Sequence, residues 1–162
     1  MERRDKHNYY LDLAEMVSQR STCLRRRYGA VIVKNDEVIS TGYVGAPRGR
    51  KNCCDYGSCV REKLQIPRGE RYELCRSVHA EANAIISASR QDMLGSSLYL
   101  CGTEVSTGAY IAHASCCSMC KRQVINAGIK NVYVRDDHDN FRCINVQEWI
   151  DDDESLEGVF GY

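Results

Sequence analysis

A chain of 162 residues suits a single domain over 1–162 that buries a core of its own. Its 22 basic residues equal its 22 acidic ones, which excludes a chain-wide electrostatic footprint for nucleic acid. No apolar run approaches the ~18 residues of a membrane span, and the charged stretch "MERRDKHNYYLDLAEM" lacks the apolar centre of a signal peptide, so a cytoplasmic protein without a membrane partner is expected.

In chain order, "NYYLDLAEMVSQR" (8–20) places Tyr10, Leu13, Ala14 and Val17 at helical spacing and predicts an amphipathic helix. "CLRRRYG" (23–29) is a basic run, either a patch or a solvated face. "GAVIVKNDEVISTGY" (29–43) reads as a hairpin turning at Asn35-Asp36. Residues 44–76 hold both prolines and four cysteines with no sustained periodicity, and read as an irregular, cysteine-rich insertion. A helix (80–90), a strand (97–101), an unassigned segment (102–115) and a helix (117–127) stopped by Gly128 follow. Strands at 131–135 and 141–145, a short helix in "VQEWIDDDE" and a solvated acidic run at 151–154 complete the chain. Strands alternating with helices predict one α/β sheet covered on both faces.

Ten cysteines in a reducing compartment point to metal ligation or catalysis rather than to disulfides. Cys117 and Cys120 are three apart at a predicted helix start, so both sulfurs reach one side, and the positive helix end favours thiolates. "SVHAEANAIISAS" (77–89) opens with His79 and Glu81 ahead of an apolar helix. Two thiolates and a neutral imidazole make three ligands for Zn²⁺ and leave the fourth position to water, the pattern of a catalytic site. At a helix start His79 is free of helical dihedrals and can turn to that metal. Glu81, in the first turn, can move a proton from water to a substrate nitrogen.

"HAE" followed by a C-x-x-C pair matches the signature of zinc-dependent nucleobase deaminases. Together with "GAVIVKNDEVISTGYVGAPRG" and "CCSMCKRQVINAGIKNVYV", it makes the chain resemble the deoxycytidylate (dCMP) deaminase family, of cytidine deaminase-like fold, over residues 8 to 135. The resemblance implies a three-layer α/β/α sandwich with a mixed five-stranded sheet. It also implies zinc on His79, Cys117 and Cys120, Glu81 as proton shuttle, and hydrolysis of dCMP to dUMP and ammonia. Adenosine in tRNA, another amino-heterocycle, and a non-catalytic zinc-binding regulator are the other readings.

The chain departs from the family in three places. Cys116 stands where the family has proline and is an alternative ligand. Val44 stands where the family has the asparagine that holds the sugar. "GTEVSTGAYIAHAS" is longer than the family needs, an extended hairpin or a lid, with His113 as a surface residue. Some relatives carry a second zinc in the insertion. By that resemblance Cys23, Cys53, Cys59 and Cys75 are its ligands here, with Cys54 as the substitute for Cys53. Cys101 and Cys143 are expected in the core. Arg48 is the expected phosphate cation, with Arg50 and Arg26 as alternatives. Tyr43 and Tyr133 border the base, or pack as strand aromatics. A homo-oligomer is expected by resemblance.

Overall fold

The computed structural model describes residues 1–153; Glu154, the last residue of the acidic run, lies outside them. Helix α1 (Lys6–Ser18) starts at Asp5, whose carboxylate accepts from the backbone amides of His7 and Asn8. It buries Tyr10, Leu11, Ala14 and Ser18, while the predicted Leu13 and Val17 flank that stripe half-buried.

Strands β1 (Arg26–Lys34) and β2 (Glu37–Tyr43) form the predicted hairpin. Asn35 and Asp36 both take left-handed dihedrals (φ 50° and 67°), as a two-residue turn between twisted strands requires. Residues 44–76 contain two single-turn helices, α2 (Cys53–Tyr56) and α3 (Val60–Lys63), and a 3₁₀ turn at Tyr72–Leu74. The helix predicted over 80–90 is two. Helix α4 (Ala80–Ile86) ends at Ser87, and α5 (Arg90–Met93) restarts where the Ser89 hydroxyl accepts from the Asp92 amide.

Strand β3 (Ser97–Glu104) runs three residues beyond the prediction, and the chain then folds back as a hairpin. Thr103 bridges to Tyr110, and the Ile111 amide donates to the Gly102 carbonyl at 3.0 Å. The Tyr110 hydroxyl donates to Glu15 on α1, so the long segment packs against the helix, with His113 exposed at its end. Helix α6 (Ser118–Ala127) stops at Gly128, whose φ of 77° suits glycine, and β4 (Asn131–Arg135), β5 (Phe141–Asn145) and α7 (Val146–Asp151) follow.

The strand order is β2-β1-β3-β4-β5. Only the β3–β4 pair is parallel, joined through α6, so the sheet is mixed as expected. Alternate residues divide between its faces. Val31, Val33, Tyr99 and Cys101 pack under α1. Ala30, Ile32, Leu98, Leu100, Val132 and Val134 pack against the other helices. Two close approaches depend on missing side chains. A Cβ on Gly29 would lie 2.0 Å from the Ala14 carbonyl oxygen on α1. One on Gly42 would lie 2.2 Å from the Ala80 carbonyl oxygen and 2.3 Å from the Ala84 nitrogen, both on α4. Gly42 therefore lets α4 lie directly on β2, which sets the height of the helix start that bears His79.

Cys101 is fully buried, as expected, but Cys143 is exposed. It sits on the edge strand β5, opposite Tyr133, whereas α1 covers β1 and β3. The face of β5 that bears Cys143 lies beyond the helix.

Candidate active site and metal centre

Two helix starts meet at one point. His79 is the N-cap of α4, with extended dihedrals (φ −70°, ψ 158°), and Cys117 is the N-cap of α6 (φ −67°, ψ 165°). Cys120 follows one turn into α6 and is 1% exposed. The His79 Nδ1 lies 3.4 Å from each sulfur, and the three donor atoms lie within 4.8 Å of one another. With Zn–S near 2.3 Å and Zn–N near 2.0 Å, tetrahedral neighbours are separated by roughly 3.5 Å, so the trio fits one zinc ion.

The electrostatics ask for a cation between these donors. Hydrogen bonding from Cys120 and the nearby His79 outweigh burial and hold the Cys117 thiol down to about 4. The thiolate so formed, followed by burial, drives the Cys120 thiol far upward, because one proton serves both sulfurs. Burial opposes a charged imidazole, yet Cys117, Cys75 and Glu81 push His79 up to about 11. A divalent ion replaces those shared protons and satisfies the same negative groups.

Glu81 points into this centre from the first turn of α4 and is 4% exposed. Burial raises its carboxyl above the usual range, with His79 pulling the other way, which suits a group that takes and returns a proton. Cys116 is buried beside that carboxylate, and its thiol is raised by burial and by Glu81. It stands outside the cluster formed by His79, Cys117 and Cys120.

His79, Glu81 and Cys117 line a cavity whose wall also includes Val44. The chain matches the family described as the cytidine and deoxycytidylate deaminase zinc-binding region over residues 4–136. The chain belongs to this family. Among curated proteins it is similar to the deoxycytidylate deaminase of Mycobacterium phage D29, 40% identical over 105 residues (62% of this chain, 80% of that one). It is also similar to that of Schizosaccharomyces pombe, 33% identical over 126 residues, which is 77% of this chain but 35% of the relative. The chain thus spans about a third of the yeast protein's length. Among solved structures, the dCMP deaminase of cyanophage S-TIM5 in complex with dCMP and dUMP superposes with a TM-score of 0.55 at 27% identity, covering 83% of this chain and 84% of that one.

Not every expected deaminase residue joins the site. Arg48 and Arg50 are exposed, and neither they nor Tyr43 line the cavity. Tyr133 stacks against both His7 and Tyr99 on the opposite face of the sheet. Arg26 does line the cavity, with three arginines that the sequence reading missed: Arg25, Arg61 and Arg68. Cys23, Cys59 and Cys75 line it too, and Cys53, raised mainly by burial, is near enough to feel all three. Among the described residues the only cluster of converging donors is His79, Cys117 and Cys120.

Proposed function

We propose that this chain hydrolyses a cytosine nucleotide, dCMP, to dUMP and ammonia. The observation that carries the reading is the buried Glu81 carboxyl beside three converging metal donors, lining one pocket with His79 and Cys117. His79, Cys117 and Cys120 would hold Zn²⁺, which supplies Lewis acidity there. Glu81 takes a proton from the attacking water and delivers it to the base. Oxygen adds at C4, the new hydroxyl gives its remaining proton through Glu81 to the exocyclic amino group, the C4–N bond breaks, and that nitrogen leaves as ammonia. The low exposure of Glu81, Cys117 and Cys120 keeps bulk water from competing for that proton.

Replacing Glu81 with Gln keeps its shape and removes the proton acceptor. Zinc content is expected to stay, and ammonia release from dCMP to fall by about 10²–10⁴-fold. Unchanged turnover would remove Glu81 from the mechanism. A screen across cytosine and adenine nucleosides, their monophosphates and a tRNA substrate names the base and its carrier, and activity on tRNA alone would overturn the free-nucleotide reading.

The same proposal includes a cytoplasmic homo-oligomer with a second, structural zinc on Cys23, Cys53, Cys59 and Cys75. Ten free thiols support the compartment, and the exposed Ile86 and Tyr43 support a subunit interface. Cys53 feels the charges of Cys23, Cys59 and Cys75, which supports the second ion, though the four sulfurs stand farther apart than the donors at His79. Two zinc ions per chain are expected by elemental analysis; one would dismiss the second.

A further inference from the structure

Four arginines line the cavity that His79 and Glu81 also line. Arg25 and Arg26 come from the approach to β1 and its first residue, and Arg61 and Arg68 come from the insertion. Their partners differ. Arg25 Nε pairs with Glu62 at 3.2 Å. Arg26 Nε and Arg68 Nη1 share a single oxygen of Glu104, at 3.1 and 3.7 Å. Arg61 is 5% exposed and pairs with no carboxylate among the described residues. It donates from Nη2 to the carbonyls of Pro67 and Glu70, its Nε is buried without a hydrogen-bond partner, and its guanidinium lies 4.4 Å from the Tyr72 ring centroid.

The charge count is uneven. The four guanidinium groups have two carboxylate partners among the described residues, Glu62 and Glu104, while Glu81 lines the cavity at the metal donors. A phosphate monoester carries roughly −1.5 to −2 charges near pH 7 and offers three acceptor oxygens. Glu104 offers one charge to two arginines through one oxygen. Arg68 is 68% exposed, and its pairing at 3.7 Å is a loose surface contact of the kind that is easily exchanged.

Resting on the reading above, we propose that the insertion supplies the phosphate subsite of this chain. Arg26 and Arg68 bind the phosphate of the nucleotide. Arg61 clamps the Pro67–Glu70 turn that carries Arg68. Glu104 is an internal anion that holds Arg26 and Arg68 until the phosphate displaces it. Selection of a nucleotide over a nucleoside then belongs to the insertion and to β1, not to Arg48.

The opposed signs of two substitutions test this. Arg68→Gln is expected to lower the preference for dCMP over deoxycytidine, as a ratio of kcat/KM, by about tenfold or more through loss of a charged hydrogen bond. Glu104→Gln removes the competitor and is expected to lower the KM for dCMP severalfold, without the same gain for deoxycytidine. A Glu104 with a merely structural role would not improve nucleotide binding when removed. Calorimetric titration with dUMP and with deoxyuridine reads the same subsite without turnover. An inactive protein whose Arg68→Gln form still loses dUMP affinity would sink the proposed reaction and keep the subsite. An unchanged dCMP preference in Arg68→Gln, or weaker dCMP binding in Glu104→Gln, would overturn the subsite.

Discussion

Arg135 is a fully buried side chain at the end of β4, and its charge is met from α1. Nη1 lies 2.8 Å from Asp12 and 3.3 Å from Glu15, and Nη2 donates to the Asn8 carbonyl at 3.0 Å. Burial alone would raise the Asp12 carboxyl, but hydrogen bonds from Arg4 and Arg135 outweigh it and hold the group below the ordinary carboxylate value. A lowered carboxyl contributes stability that is present above its unfolded pKa of ~3.9 and is lost as pH falls through the lowered value. Thermal unfolding is therefore expected to show a drop below about pH 4 that Asp12→Asn flattens. Because Asp12 is partly solvated and Glu15 stays, that substitution is expected to cost only about 1–2 kcal/mol at neutral pH. An equally steep acid limb in the variant would place the titrating group elsewhere. The sign is opposite at Glu81, whose carboxyl burial raises. It must be ionised to take a proton, so the acid limb of kcat/KM for dCMP is expected above the ordinary glutamate value of ~4.3. Glu81→Asp tests this by shifting the limb as its burial changes.

At the scale of elements, the parts legible in the sequence are those encoded within a few residues of themselves. Asn35-Asp36 supplies the left-handed turn of the hairpin, Gly128 stops α6, and β-branched alternation marks β1 and β4. The metal donors belong to the same class. Both N-caps and Cys120 lie within one turn of a helix start, so two short motifs encode the geometry that long-range folding then brings together. Among the arginines of the cavity, Arg26 was legible as an alternative phosphate cation and the other three were not. Arg61 and Arg68 sit in a segment without periodicity, and which of its side chains face inward depends on how its turns close. Arg48 follows Pro47 in a turn that leaves it in solvent. Gly42 carries its information in an absent atom. Gly42→Ala would push the new Cβ onto the Ala80 carbonyl and lift α4, and the His79 end with it. Overpacking of this kind is expected to cost about 1–3 kcal/mol. Turnover should fall further than global unfolding accounts for, since zinc affinity depends on donor placement. An alanine variant with unchanged melting and metal content would show that the helix has room to move.

At the scale of the whole molecule, a metal on the three donors would tie together two helices of one layer, α4 and α6. The sheet and its two apolar clusters would hold the fold, and α4 and α6 pack through Ala80, Ala84, Cys120 and Val124, but their starts also bring His79, Cys117 and Cys120 together. Bringing a thiolate and a buried carboxyl together stabilises the fold only if a cation joins them. Zinc bound to the folded chain therefore adds stability by mass action, about 2.7 kcal/mol at a hundredfold excess over its Kd, or roughly 5–10 °C in Tm for a domain of this size. A strong chelator is expected to lower Tm by that order, and added Zn²⁺ to restore it. The same measurement separates the two metal positions. In His79→Ala the centre loses its imidazole, so chelator sensitivity should vanish if that centre is the sole one. A residual shift that disappears only when Cys53 and Cys75 are also replaced by Ser assigns the remainder to the insertion thiols. If Tm ignores the chelator in the unaltered protein while zinc is demonstrably removed, the metal contributes chemistry and no stability, and the helix starts are held by packing alone.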